Sequence, residues 1–368
     1  MKLVYLTVAT IPNKTAHSKY VMKLCEAFGK LGIDTTLISN VRKEDIFNKN
    51  NVFEELNIKR TFGLKRILAP YTFFGKHFPT GVRFRYYNLV VLFIVLFYKV
   101  FYKNVIFICH NYFTVKVCEM VNVKYILDLH DDFPKMNIRP LFIVVQSNVL
   151  YNKIKSKYND VDILISRNVI DKEIVLDEFN LPLFDDKKHV ISYVGSLAPD
   201  RGFGEFLKIV ANIEKDFLIY VAGDFEHFKN FYKDIIELNP ILTYRVVFLG
   251  YLNEQQINYL SVKSDSFITL YTTKIPTIGY SSPMKIFEYL RFDKPIIAPK
   301  IDDIKEIIEF YDCEDRMRWY KIDDFNSLKD VILHCIDYEC KKFNIKSVQV
   351  ETWEDKARKI QIKFEEKK

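Results

Sequence analysis

Short apolar runs alternate with stretches in which apolar residues recur at every third or fourth position along nearly the whole 368-residue chain. Leu3 to Thr7 is the first such run, and Val21, Leu24, Cys25, Phe28 and Leu31 then mark one face of a helix over His17 to Lys30. Gly32 ends that helix and Ile33 to Ile38 begins a second strand. Val105–Cys109, Tyr125–Leu129 and Ile163–Ser166 read as further strands. Past a polar stretch at Leu181–Lys188, the alternation resumes with Val190–Val194, Leu218–Ala222, Val246–Leu249, Ser266–Leu270 and Pro295–Ala298. Strand-then-helix order in both halves predicts an α/β protein of two Rossmann-like, doubly wound domains, the first over residues 1–180 and the second over 188–349. Two caps are also predicted: Asn253 with Gln256 at the box position, and Thr352 opening a last helix whose Trp353, Ala357, Ile360 and Phe364 form one apolar stripe.

Composition narrows this picture. With 49% hydrophobic residues the chain is globular and long enough for two domains. A net charge of +7 points to an anionic partner without naming it. Its distribution says more. Between Glu55 and Glu119 there is no acidic residue, while Lys59, Arg60, Lys65, Arg66, Lys76, Arg83, Arg85, Lys99, Lys103 and Lys116 alternate with aromatic rings. Such a mixture over residues 57–103 suits an anionic membrane surface. Nucleic acid can use the same composition, but the apolar run Leu89–Tyr98 favours the membrane. At ten residues that run is too short to span a bilayer, so a buried or interfacial helix is expected; a basic, solvated face over an ordinary core helix is the plain alternative. Six cysteines without a Cys-x-x-Cys pair, and no cleavable signal before the first strand, fit a reducing cytoplasm without disulfides. The first strand–helix turn, Val8 to Ala16, has no Gly-x-Gly-x-x-Gly, which argues against a nicotinamide enzyme. No metal site is expected at Asp131 and Asp132.

The chemistry is placed between Pro276 and Pro299. Ser282 is a strong N-cap and Pro283 suits the first helical position, so a helix is predicted to open there. Met284, Ile286, Phe287 and Leu290 supply its buried stripe, while Ser281, Lys285 and Glu288 fall together on another face. Unpaired amides at a helix start favour an anion, and a carboxylate one turn further in accepts two hydroxyls, a combination that suits the phosphate and ribose of a nucleotide sugar. On spacing alone, Lys285 and Glu288 fit equally well as an ordinary surface pair.

The run Ser282-Pro-Met-Lys-Ile-Phe-Glu288-Tyr-Leu with Lys294-Pro-Ile-Ile resembles the donor-site segment of family 4 glycosyltransferases, which have the GT-B fold of two Rossmann-like domains facing a cleft. By that resemblance Glu288 holds the ribose, and Tyr280 stands where the family has a first glutamate that contacts the donor sugar. His130, after a strand of the first domain, resembles the family histidine near the transferred sugar. Gly195 and Ser196 match a Gly-Arg pair that grips the diphosphate, and Arg201 matches the Lys five positions on. Gly250 and Tyr251 match the nucleobase contact. Residues 350–368 match the helix that crosses back to the first domain.

The resemblance implies a hexosyltransferase with no cofactor beyond its nucleotide-diphosphate sugar substrate, with Arg201, Lys285 and the Ser282-Pro283 helix start in place of a metal. Family membership implies retention of anomeric configuration. The acceptor expected is a saccharide, carried on a polyprenyl diphosphate at the cytoplasmic face of the membrane, in bacterial surface polysaccharide synthesis. No nucleic acid partner is expected. Two rivals are a nucleotide-sugar epimerase on the same fold and a non-catalytic sugar-nucleotide-binding subunit, the latter motivated by Tyr280 and Ser196.

Overall fold

The computed structural model describes every residue except 14, 43–44, 46–50, 69–71, 74–75, 78–79, 276–277, 280–281, 338–347 and 368. The chain divides into two compact units, Met1–Arg167 with Glu351–Lys368, and Asn168–Val350.

The first unit runs β1 (Lys2–Thr10), α1 (Ala16–Lys30), β2 (Asp34–Val41), α2 (Asn51–Glu55), β3 (Gly63–Leu68), a small hairpin of β4 (Thr72–Phe73) and β5 (Lys76–His77), and α3 (Thr80–Phe101). It continues with β6 (Val105–Cys109), α4 (Tyr112–Val121), β7 (Tyr125–Leu129), β8 (Ile143–Val145), α5 (Asn148–Lys155) and β9 (Ile163–Ile165). Seven strands form one parallel sheet in the order β3-β2-β1-β6-β7-β8-β9. Strand order reverses between β1 and β6, which marks the carboxyl ends of those two strands as the place where a doubly wound sheet takes a ligand. β3 and β8 are absent from the hydrophobic pattern for opposite reasons. β3 is an edge strand that carries Lys65 and Arg66, and β8 is a buried run of three residues.

The second unit runs β10 (His189–Val194), α6 (Phe203–Ala211), β11 (Phe217–Ala222), α7 (Phe225–Leu238), α8 (Leu242–Arg245), β12 (Val246–Gly250) and α9 (Glu254–Lys263). Then follow β13 (Ser266–Ile268), α10 (Met284–Tyr289), β14 (Ile296–Pro299), α11 (Asp302–Tyr311), β15 (Met317–Tyr320) and α12 (Phe325–Asp337). The six strands are again parallel, in the order β12-β11-β10-β13-β14-β15, with the reversal between β10 and β13. Alternate residues of a strand feed opposite cores. Val190 and Val194 pack with α10 and α11, and Ile191 and Tyr193 pack with α6 and α12, so both faces are apolar and the strands read as near-continuous hydrophobic runs.

The domain division falls earlier than the polar stretch at 181–188. Residues 168–188 are tied to the second unit through their backbone, with Arg291 donating to the Glu173 carbonyl (2.6 Å), Asn258 to Val175 (3.0 Å) and the Tyr220 hydroxyl to Pro182 (2.8 Å). A hydrophilic sequence looks like a linker, but these bonds pin the main chain rather than the side chains that the pattern reports. The last helix, α13 (Trp353–Glu365), returns to the first unit, as the resemblance implies. Its four predicted stripe residues are buried, Trp353 meets the Tyr20 ring edge-on at 5.4 Å, and Lys356 is buried with its ammonium donating to the carbonyls of Ser166 (2.6 Å) and Arg167 (3.0 Å). The capping box expected at Asn253 is present, and Thr352, expected to open the last helix, forms a second box with Asp355.

Candidate functional site

In the second unit, the turn after β10 is built by tyrosines. Tyr193, on β10 itself, donates its hydroxyl to the Ser196 carbonyl (2.6 Å), the Val194 amide donates to the Tyr289 hydroxyl (3.2 Å), and Tyr232 donates to the Leu197 carbonyl (2.6 Å). All three rings are buried, so each hydroxyl needs its backbone partner and the turn is correspondingly fixed. Gly195 and the exposed Ser196 lie at its start. Gly223, after the neighbouring β11, allows the two strand ends to meet, because a Cβ there would fall 2.3 Å from the Gly195 carbonyl oxygen. Arg201 closes a single 3₁₀ turn, Pro199–Arg201, which ends on Gly202 at φ 79°. The Thr272 hydroxyl donates to the Asp200 carbonyl (2.5 Å), and the Arg201 guanidinium lies over the Tyr271 ring at 5.4 Å. Tyr271 follows β13, so Arg201 stands at the reversal point of this sheet.

The helix that carries Lys285 and Glu288 differs from expectation at its start. α10 begins at Met284, its N-cap is Pro283 in an extended conformation, and no side chain caps it. The Ser282 hydroxyl is buried without a hydrogen-bond partner among the described residues, because the main chain before the helix is held through the Ser282 carbonyl, which accepts from Asn168 (2.5 Å). With only six residues α10 carries a small dipole, so charged side chains dominate the local field. Lys285 and Glu288 form a direct ion pair, both half-buried. Beneath them Ile286, Phe287 and Leu290 are buried as predicted, and Arg316, itself fully buried, donates to the carbonyls of Leu290 (2.9 Å) and Phe292 (3.1 Å) and so fixes the end of the helix. Gly250 ends β12 at φ 69°, its carbonyl accepts from the Gly223 amide (2.8 Å), and the Tyr251 ring is exposed. Tyr280 and Ser281 lie outside the described residues.

The corresponding edge of the first unit gathers imidazoles. His110 follows β6, His130 follows β7 and His17 lies in the first turn of α1, with ring centroids 4.4 Å apart for His17 and His110 and 5.5 Å for His17 and His130. Below them the fully buried Asp128 accepts from the hydroxyls of Tyr5 (2.9 Å) and Tyr20 (3.1 Å) and faces His130 Nε2 at 3.6 Å. The Gln146 side-chain amide lies 2.6 Å from His130 Nδ1. Burial alone would raise the Asp128 pKa, yet the His130 imidazole, the Lys356 ammonium and the Tyr5 hydroxyl together hold it well below the usual carboxylate range. Burial acts on the neighbouring imidazoles in the other direction, pushing His17 down to about 4 and His110 to about 3, with the mutual repulsion of the histidines adding to it. Among the described residues, no group of three or more His, Cys, Asp or Glu is arranged to hold a metal ion.

The glycosyl transferases group 1 family matches residues 188–337, a span that includes every strand of the second sheet. The second domain is that of a group 1 glycosyltransferase. The whole chain shares its fold with solved glycosyltransferases. Sucrose-phosphate synthase from Thermosynechococcus elongatus superposes with a TM-score of 0.68 at 12% identity, covering 99% of this chain and 94% of that one. HepE from Anabaena, solved with UDP and glucose, gives 0.65 at 14%, covering 98% and 94%. The lipopolysaccharide outer core galactosyltransferase WaaB gives 0.63 at 12%, covering 100% of both chains. Among curated proteins no sequence matches the chain.

The fold of the whole chain is GT-B. Within its second domain, the structure brings Gly195, Ser196 and Arg201 to one strand end and sets Gly250 across the Gly223 contact from it. Sequence reasoning missed the tyrosines. Tyr193, Tyr232, Tyr271 and Tyr289 read as ordinary core aromatics, and nothing in their spacing announces that the hydroxyls of Tyr193, Tyr232 and Tyr289 hold a turn or that the Tyr271 ring lies under Arg201. In the first domain it missed the grouping of His17 with His110 and His130, because His17 opens a helix while the other two follow separate strands. Asp128, sitting two positions before His130 inside an apolar strand, was the one available signal.

Proposed function

We propose that this protein transfers a sugar from a nucleotide-diphosphate donor, held by the second domain, to a saccharide acceptor, held by the first. The carrying observation is that the family match spans the sheet at whose reversal point Arg201 stands over Tyr271, with the Gly195 turn beside it. In this reading the bond between the anomeric carbon and the donor diphosphate breaks, the acceptor oxygen bonds to that carbon, and the proton of the acceptor hydroxyl passes to the leaving diphosphate. Arg201 and Lys285 meet the charge that develops on the leaving diphosphate. Glu288, released from its pair with Lys285, accepts the ribose hydroxyls, and Gly250 and Tyr251 flank the base. Ser282 and Pro283 border the phosphate, Tyr280 and Ser281, outside the described residues, are assigned to the donor by the family resemblance alone, and His130 borders the transferred sugar from the first domain.

That HepE was solved with UDP and glucose supports a nucleotide sugar as donor. Retention of configuration, metal-independent hexosyl transfer, a polyprenyl-diphosphate-linked acceptor and a place at the cytoplasmic face of the membrane in surface polysaccharide synthesis complete the proposal.

A thermal-shift series with nucleoside diphosphates and nucleotide sugars tests it. A ligand present at a hundred times its Kd adds about 2.7 kcal/mol, so at least one compound raises the melting temperature by several degrees. Arg201→Ala and Glu288→Ala are expected to remove both that shift and donor turnover while keeping the fold. Failure of every nucleotide to shift the wild type would overturn the proposal. Sugar epimerisation without acceptor would favour an epimerase, and binding with no turnover a non-catalytic subunit.

A further inference from the structure

From Leu89 to Tyr98 helix α3 is apolar around its whole circumference, yet only one side of this stretch is packed. Tyr87, Val91, Val95 and Tyr98 are buried against the first unit, with the Tyr87 hydroxyl donating to the Thr7 carbonyl (2.7 Å) and Tyr98 meeting Phe107 edge-on. The opposite side carries Leu89, Phe93, Leu96, Phe97 and Val100, all exposed, with Phe93 at 64% and Val100 at 74%. These positions follow one another at three and four residues, so they form a continuous stripe. Phe101 at 69% and, on the adjoining α4, Met120 at 68% add to the exposed apolar surface of this unit. A soluble surface normally breaks up an apolar patch of this kind.

Its surroundings identify what covers it. Lys65 on the edge strand β3 lies 5.9 Å from the Phe97 ring centroid and 5.2 Å from that of Tyr98, and Lys116 lies 5.9 Å from that of Tyr112. Lys103 follows the helix directly, and the whole segment from Leu56 to Cys118 lacks a carboxylate. Residues 86–98 of the helix carry no charged side chain, and the stripe offers a protein partner nothing polar to recognise. Exposed tyrosines stand near its two ends, Tyr86 and Tyr102. Apolar stripe, tyrosines at the ends and lysines at the side are the arrangement that an interfacial helix presents to headgroups. No described helix is long and apolar enough to cross a membrane.

We infer that the exposed stripe of α3 lies in the plane of an anionic phospholipid bilayer, with Phe93 and Phe97 among the acyl chains and Lys65, Lys103 and Lys116 at the phosphates. This deepens the reading of a lipid-carried acceptor and rests on it only for the purpose of the docking.

The test is co-sedimentation of the full chain with phosphatidylcholine vesicles, with and without phosphatidylglycerol. The wild type binds the anionic vesicles. Phe93→Asp loses about tenfold or more of that binding, since each buried ring contributes strongly to partition. Lys65→Glu with Lys103→Glu loses the preference for phosphatidylglycerol, at about fivefold per lysine removed. In all variants the nucleotide-induced thermal shift stays as in the wild type, which shows that the fold and donor site are intact. No binding to either vesicle, or a wild-type dimer in sedimentation velocity that Phe93→Asp dissociates, would overturn the inference. Either result leaves the transferase reading standing if the nucleotide shift persists, whereas loss of that shift in the wild type sinks the transferase reading alone.

Discussion

The two sheets present the same kind of edge with opposite electrostatics. Each is parallel, each reverses strand order at its first strand, and each opens its reversal point to a ligand at the carboxyl ends. In the first unit that edge is settled internally. Asp128 is satisfied by Tyr5, Tyr20 and His130, Lys356 lies buried in the same interior, and burial keeps His17 and His110 uncharged near neutral pH. In the second unit the cations stay within reach of a ligand, with Arg201 over Tyr271 and Lys285 in a half-buried pair, while tyrosines satisfy only the backbone. Neutral imidazoles suit hydroxyl groups and half-buried cations suit a diphosphate, so in the proposed transfer one architecture divides acceptor from donor by where its charges are neutralised.

The sharpest way to break the comparison is to leave the first edge unbalanced. Asp128→Ala removes the acceptor of two buried tyrosine hydroxyls and the counter-charge of Lys356, and is expected to destabilise the protein by about 3–5 kcal/mol in urea unfolding. Asp128→Asn, which keeps an acceptor, should lose distinctly less. Next comes the cationic edge. Arg201→Ala should lower turnover by about 10²–10³-fold, as removal of one charge-stabilising donor does elsewhere, while leaving the urea midpoint nearly unchanged. The two substitutions therefore separate the edges: the first registers mainly in stability, the second mainly in activity.

Gly223→Ala probes the backbone approach that shapes the second edge. Its methyl would collide with the Gly195 carbonyl, so the turn must move, with a loss of about 1–3 kcal/mol in thermal unfolding and weaker nucleotide binding. Near neutral pH, where their contribution is already complete, the histidines give the smallest effect. His17 and His110 have folded pKa values of about 4 and about 3, below the ordinary 6.5, so between those values the unfolded chain binds more protons than the folded one. Their contribution to stability is complete above about pH 6.5 and falls with pH, by up to about 1.4 kcal/mol per unit for each imidazole, until the folded values are reached. Double replacement of His17 and His110 by Asn should flatten the melting-temperature profile between pH 6.5 and 4. An unchanged slope would show that these imidazoles are already charged in the folded protein.

Much of this was legible before any coordinates. Strand-then-helix alternation, the caps at Asn253 and Thr352 and the stripe of the last helix are local patterns, because helix and strand periods are written into neighbouring residues. The candidate site residues Lys285 and Glu288 could be named through one contiguous motif, and Arg201 through a second one around Gly195. The length of α3 and the start of α10 were read less well, since basic residues masked the first turns of one, and a hydrogen bond to the Ser282 carbonyl, rather than a cap, holds the chain entering the other.

By itself, the sequence determined the fold class, the order of elements and the residue types available for chemistry, all of which depend on short-range periodicity and burial. Only the tertiary structure decided that four tyrosine rings gather at the edge of the second sheet, that three histidines cluster above one buried carboxylate and that one side of α3 is exposed. Those facts depend on which atoms meet across distant segments. Spacing along a chain carries no information about that until the strands are laid side by side.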